Sequence, residues 1–453
     1  LIKDPERRAT MDSIILYLQN RQRRATTPTF PDRAEITRMN NLALKLINGI
    51  GVTKNPEEGI RLLQQTAGYG DPTGQYNLGV CYKKGLGVPK DLQESASYFK
   101  HAVEGGNVPA VTCLANCYLK GEGVPKDEAK AVDLYIKNAE KEDMEATYQL
   151  AMCYKDGIGT ERNEYLAAKL LKTCLDHGII EAAYQLGLLY RDGHGITKNE
   201  KEAFQLFSMG AEQEDVSCIF ELAYCYKHGI GVEQNSENAA KYYKMASDKG
   251  SVQALVNLAL CYKEGDGVPQ DYEQAVVLFQ IAAREGDPLA FYNLGMCCMR
   301  GEGVRKDPVE AARMFQIAAD RDLTWAKYRL GLCYYHGIGT QQNVELATTL
   351  FKEAAREGNS DAAYRLAICY ENGEGVDKND KEAYLLYQQA SDDGNIDATL
   401  NLGRCNLEGI GVKKDEFQAV QLYKIASDAG SVEATFNLAM CYYNGNGVSK
   451  DDV

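Results

Sequence analysis

Residues 252–285 read VQALVNLALCYKEGDGVPQDYEQAVVLFQIAARE, and the spacing within them decides the fold. Ala254, Leu258, Cys261 and Tyr262 fall at i, i+4, i+7 and i+8, one stripe of a helix with about 3.6 residues per turn. After Gly265-Asp266-Gly267-Val268 a second stripe follows: Ala275, Leu278, Phe279, Ala282 and Ala283. Neither segment alternates with period two, which disfavours strands. Gly265 stands where a left-handed residue ends a helix without a Cβ penalty. Asp271 stands where a side-chain acceptor caps the free N–H groups of a second helix. The stretch therefore predicts two helices joined by a glycine turn.

The same pattern runs outward in both directions. The first glycines of the Gly-x-Gly turns are Gly49, Gly85, Gly121, Gly157, Gly193, Gly229, Gly265, Gly301, Gly337, Gly373, Gly409 and Gly445, every step being 36 residues. A fixed period of this size is the mark of a stacked-repeat array. The Asp271 position is Asp or Asn in every copy, from Asn55 and Asp91 to Asp415 and Asp451. A third glycine, such as Gly70, Gly250 or Gly430, ends most second helices. One column is leucine throughout, from Leu42 and Leu78 to Leu402 and Leu438, and the next residue is always Ala or Gly. Large beside small lets two helices approach to about 8–10 Å and interlock. One helix pair buries too little to fold alone, so neighbours must stack. Truncating a leucine of this column is expected to cost about 2–5 kcal/mol.

The full arrangement is Ala362-x-Tyr364-x-Leu366-Ala367-x-x-Tyr370-x-x-Gly373-x-Gly375-Val376, and Ala182 to Gly195 fits it equally. It resembles the SEL-one-like repeat family, relatives of the tetratricopeptide repeat, over about residues 34–453. The resemblance implies an all-α fold, an α/α right-handed superhelical solenoid of about twelve helix-pair repeats. It also implies an adaptor or scaffold for protein complexes. Cys298 and Asn406 depart from the tyrosine column, and Thr160 and Thr340 from the valine.

Residues 1–18 differ from the array. Their Asp4-Pro5-x-x-Arg8-x-Thr10 pattern before Ile14-Ile15-Leu16 resembles the end of a protein-kinase domain. That resemblance implies that Arg8 pairs with a glutamate closing an activation segment, and that the parent protein is a kinase carrying this array in a signalling role. An ordinary capped amphipathic helix is the alternative. Residues 19–33, with Arg21, Arg23, Arg24, Pro28 and Pro31, read as a basic linker. The chain opens at Leu1 and stops within its pattern at Val453, which reads as a fragment at both ends.

Fifty basic against 64 acidic side chains give a formal charge of −14. Residues 1–40 hold eight basic and five acidic side chains, a net of +3, so the array carries −14 − 3 = −17. An acidic array favours basic protein or peptide partners and disfavours nucleic acid. No stretch approaches the roughly 18 apolar residues of a membrane helix.

Reaction centres are not legible. The glycines do not form the G-x-G-x-x-G of a nucleotide loop, the third position being Lys54, Lys90, Lys126 or Arg162. No His-Arg-Asp or Asp-Phe-Gly occurs. Ten of the 14 cysteines share one column, from Cys81 to Cys441, too far apart between stacked units for disulfides of about 7 Å reach. They read as small buried residues in a reducing, cytoplasmic setting. Cys113 and Cys117 lack the further ligands of a metal site, and the five histidines are scattered, three of them at turns. No catalytic, cofactor or metal residue is expected. An adaptor in endoplasmic-reticulum protein degradation is a further use of such repeats, and the unpaired cysteines argue against it.

Binding is the remaining function, and first helices usually line the concave face of such arrays. A polar column runs along them: Asn77, Cys113, Gln149, Gln185, Glu221, Asn257, Asn293, Arg329, Arg365, Asn401 and Asn437. Amides at regular pitch can bond an extended peptide backbone, and the two arginines can take a carboxylate or phosphate. Trp325 stands in a column otherwise mostly small or polar, which predicts exposure and an interface role. The alternatives are a solvated edge for the column and, for Trp325, a filler after Arg321-Asp322-Leu323, where the turn glycine is missing. The candidate partner site is Asn257, Asn293, Trp325, Arg329, Arg365, Asn401 and Asn437.

Overall fold

A computed structural model of the chain describes residues 31–449. The kinase-like segment 1–18, most of the linker 19–33 and the capping position Asp451 lie outside the described residues. Among the described residues there are 23 α-helices and no strand. The described residues divide into two compact units, with the boundary between Leu206 and Phe207.

Within each unit the helices alternate as the sequence predicts. The seventh repeat shows how. Its first helix, Val252–Glu264, ends at Gly265 in the left-handed conformation, φ 70° and ψ 31°, whose N–H donates to the Cys261 carbonyl. Asp266 N–H donates to the same carbonyl at 3.0 Å, so the cysteine column marks where each first helix closes. Asp271 caps the second helix, Tyr272–Arg284, by accepting from Gln274 N–H. Asp287 then caps the first helix of the eighth repeat, Pro288–Arg300, accepting from Ala290 N–H at 2.8 Å. This second capping position does not stand out in the sequence. It is Asp, Asn or Ser before most first helices, and side-chain capping fails only where the column holds Ile179 or Leu323.

Packing follows the two columns. Leu78, Leu114, Leu150, Leu258, Leu330 and Leu366 are all buried, and glycines of the next column, Gly79, Gly295, Gly331 and Gly403, each sit against a ring of the paired helix. A Cβ at Gly331 would stand 2.6 Å from the Phe351 ring, and one at Gly295 the same distance from Phe315. Two members of the leucine column depart from expectation. Leu42 is 44% exposed and Leu438 only half-buried, because each lies in a terminal described repeat with a neighbour on one side. The last first helix, Val432–Asn444, likewise exposes Val432, Phe436 and Tyr443.

The second glycine of most turns is fixed by stacking, Gly51 of the first repeat being an exception with open space around it. A Cβ at Gly267 would lie 1.9 Å from the Ser236 carbonyl oxygen, at the start of the sixth repeat's second helix. Gly123, Gly303, Gly339 and Gly411 face the same obstacle in their own repeats. These glycines allow one repeat's turn to rest directly on the backbone of the repeat before it.

Candidate partner-binding face

All seven candidate residues lie in the second unit. The ninth repeat's first helix, Thr324–His336, is built differently from its neighbours. Asp322 holds φ +59° where most repeats have glycine, and Leu323 offers no capping side chain. Glu357 supplies what the cap does not. Its carboxylate accepts from Thr324 Oγ1 at 2.7 Å and from Lys327 Nζ at 2.5 Å. Asp322 also accepts from Lys327 at 3.2 Å. Lys327 is only 7% exposed, and the hydrogen bond to Glu357 holds its ammonium above its ordinary range.

Trp325, on this re-anchored turn, is 54% exposed. Arg329 follows one turn later on the same face. Burial raises the neighbouring Tyr328 hydroxyl, while Arg365 of the next repeat hydrogen-bonds to it and acts the other way. Arg329 and Arg365 thus both act on Tyr328, and Trp325 lies one turn before Arg329. Asp361, Asp397 and Glu433 occupy the Trp325 column in the following repeats, and their charges reach Tyr328 or Tyr364.

The asparagines are placed otherwise. Asn257 donates to the Gln253 carbonyl, Asn293 to Leu289 and Asn401 to Asp397, each four residues back on its own helix. Each thus spends one of its two amide N–H donors on its own helix, and Asn401 Nδ2 also donates to Tyr364 OH of the preceding repeat at 3.5 Å. Asn293 is 8% exposed, whereas Asn257, Asn401 and Asn437 are half-buried. Asn401 Oδ1 accepts from Arg404 at 3.3 Å. Arg404 is held mainly by Glu371, at 2.7 and 2.8 Å, and Glu371 also accepts from Tyr387 OH at 2.8 Å.

Sequence reading did not pick out Lys327, Glu357, Arg404 or Glu371. A signal was present for two of them. Lys327 and Arg404 are cations in columns that hold Ala, Thr, Leu, Ile or Met in most repeats.

All 14 cysteines are free thiols, and burial pushes Cys261, Cys297 and Cys333 up to about 11. Raised thiols are poor nucleophiles. Among the described residues no group of His, Cys, Asp and Glu could hold a metal ion. Among them, no helix is long and apolar enough to cross a membrane.

Capped helix pairs, stacked through one leucine column and presenting a mixed polar and aromatic face, define a repeat scaffold. The Sel1 repeat model matches residues 39–68, 72–107, 114–143, 145–173, 180–215, 216–251, 252–287, 288–323, 326–359, 360–395, 396–431 and 432–453. The chain belongs to the Sel1 repeat family. A protective antigen of uropathogenic Escherichia coli displaying an SLR fold is 32% identical over 86% of this chain and 84% of that one, with a TM-score of 0.63. A Sel1 repeat protein from Oxalobacter formigenes is 30% identical over 55% of this chain and 99% of that one, with a TM-score of 0.51. No curated protein matches. Sel1 arrays are non-enzymatic protein-interaction scaffolds, and this chain is an array of that kind.

Proposed function

We propose that the scaffold binds a basic partner segment across the face bearing Trp325, Arg329 and Arg365, with Asn257, Asn293, Asn401 and Asn437 along its flanks. The observation that carries this reading is the exposed Trp325, one turn before Arg329, with the carboxylates Asp361, Asp397 and Glu433 in its column over the next three repeats. A large aromatic supplies contact area at little entropic cost, and carboxylates at repeat pitch select a cationic segment. The array's charge of −17 (−14 − 3) favours the same partner. The kinase-like pattern of residues 1–18 supports a signalling role beside a kinase domain. The unpaired buried thiols support a reducing, cytoplasmic compartment.

The test is affinity capture with the full chain, partner identification by mass spectrometry, and titration of the purified partner. Trp325→Ala is expected to weaken binding about thirtyfold or more, the loss typical of an interface hot spot. Helicity by circular dichroism should not change. Undiminished affinity, or helix loss on substitution, would show Trp325 to be a packing residue instead.

A further inference from the structure

Three of the twelve repeats lack tyrosine in this column, at Leu46, Cys298 and Asn406, and the structure treats the last two differently. Asn406 is 2% exposed and donates to the Leu402 carbonyl, so its place is filled. Cys298 leaves a space. Nine other repeats carry tyrosine at this position, and the ring's seat is visible in several. Tyr226 stacks on Tyr242 with centroids 5.7 Å apart, and Tyr82 stacks likewise on Tyr98. Tyr118 lies under Lys130, whose Nζ is 4.2 Å from the ring centroid. The equivalents of Tyr98 and Lys130 in the eighth repeat are Met314 and Glu310. Both line an open cavity of about 560 Å³ together with Cys298, Phe291, Leu294 and Val276. The cavity runs between the second helices of the seventh and eighth repeats, Tyr272–Arg284 and Pro308–Ala319, and the first helix Pro288–Arg300 floors it.

Its rim is cationic, against the sign of the whole chain. Arg284 and Arg305 border the cavity, are exposed, and form no ion pair among the described residues. The two acids at the rim are already engaged. Glu310 accepts a bidentate pair from Arg313, at 2.6 and 2.8 Å. Asp307 accepts from the N–H groups of Val309 and Glu310 while capping its helix. Arg321 lies over the Phe291 ring, 5.0 Å from the centroid, and adds to the same field.

The geometry points to a docking pocket in the eighth repeat for an aromatic side chain from a protein segment with carboxylates beside it. The partner's ring takes the seat that tyrosine fills in the other repeats, and its carboxylates meet Arg284 and Arg305. The volume falls within the range of about 300–1,000 Å³ usual for small binding sites. Guanidinium groups suit carboxylates because their planar donors bind both oxygens. The pocket shares no residue with the Trp325 face, so either reading can fail without the other.

The test uses the full chain and a fluorescein-labelled peptide, Ser-Asp-Glu-Tyr-Glu-Asp-Ser, followed by anisotropy. Saturable binding is expected, with a loss of about tenfold when the peptide's tyrosine becomes alanine, and a similar loss on raising salt. Cys298→Tyr restores the residue of the column, should leave the melting temperature equal or higher, and should abolish binding. The exposed pair Arg284→Glu and Arg305→Glu should weaken binding at least tenfold without touching the core. Bound peptide should also slow alkylation of Cys298, read by mass spectrometry. The proposal is overturned by absence of saturable binding up to about 1 mM, by equal affinity for Cys298→Tyr, or by equal affinity for the arginine variant. It is also overturned if sedimentation shows self-association that Cys298→Tyr removes, since the occupant would then be a second copy.

Discussion

At the scale of single residues, the two glycines of each turn do different work. The first ends a helix; the second, in most turns from Gly123 onward, makes room for a neighbouring backbone. Gly250 ends a second helix at φ +94° with open space where a Cβ would go, so Gly250→Ala meets only the left-handed penalty of about 1–2 kcal/mol. Gly267 has φ +75° and the Ser236 carbonyl at 1.9 Å from a Cβ. Gly267→Ala must therefore also push two repeats apart. We expect its urea midpoint to fall clearly below that of Gly250→Ala, and equal midpoints would contradict stacking through the turn. The positive φ was legible from the sequence, since a glycine directly after a helical stripe sits where a left-handed cap closes the helix. The close approach was not, because its other half lies about 30 residues earlier in the chain.

At the scale of elements, capping accounts for most helix boundaries, and the exceptions mark where the array is irregular. Glu142, Glu214 and Asp322 hold φ near +60° in the column that is glycine elsewhere. Glu214 is paired with Lys249 at 2.8 Å, and Asp322 with Lys327. Glu142 has no ion-pair partner among the described residues. Glu142→Gly removes the left-handed strain at the expense of chain entropy, and should stabilise the chain by about 0.5–1 kcal/mol. A thermal melt checks it, and a lowered midpoint would mean that the glutamate side chain contributes more than its backbone costs. Stacking also varies by repeat. Lys83 reaches Glu122, Lys227 reaches Asp266 and Tyr335 reaches Glu374, each across one repeat into the next turn. Where that turn residue is Ile338, the residue at the partner position is Met299. The sequence displays both columns, but only the fold shows that they face each other.

At the scale of the whole molecule, the cysteine column makes stability depend on pH. Burial pushes Cys81, Cys117, Cys153, Cys261, Cys297, Cys333 and Cys405 up to about 11, and Cys369 up to about 12. In the unfolded chain these thiols ionise near about 8.5. The folded state thus keeps protons that the unfolded state releases. Stability is complete below about pH 8 and is lost progressively as pH rises towards about 11. Urea midpoints in reductant should be flat between about pH 6 and 8 and fall steeply by about pH 10. A flat profile throughout that range would mean that the thiols are far more solvated than their positions allow.

The chain's own spacing determined the period, the helix pairs, the capping residues, the turn glycines and the buried leucine and cysteine columns. All of these are local or strictly repeated, so each copy confirms the others. For Trp325, an aromatic in a polar column, the spacing left exposure and a packing role both open, and the fold leaves the side chain 54% exposed. Tertiary structure alone decided the rest. Leu42 and Leu438 follow the column yet lie open, because burial depends on having neighbours on both sides. Lys327 is enclosed because Glu357 and Asp322 converge on it from outside its helix. Asn257, Asn293 and Asn401 of the polar column each bond a carbonyl four residues back on their own helix, which only their rotamers reveal. Cys298 reads in sequence as a small departure, and only the packing of three helices around it shows that it lines a cavity.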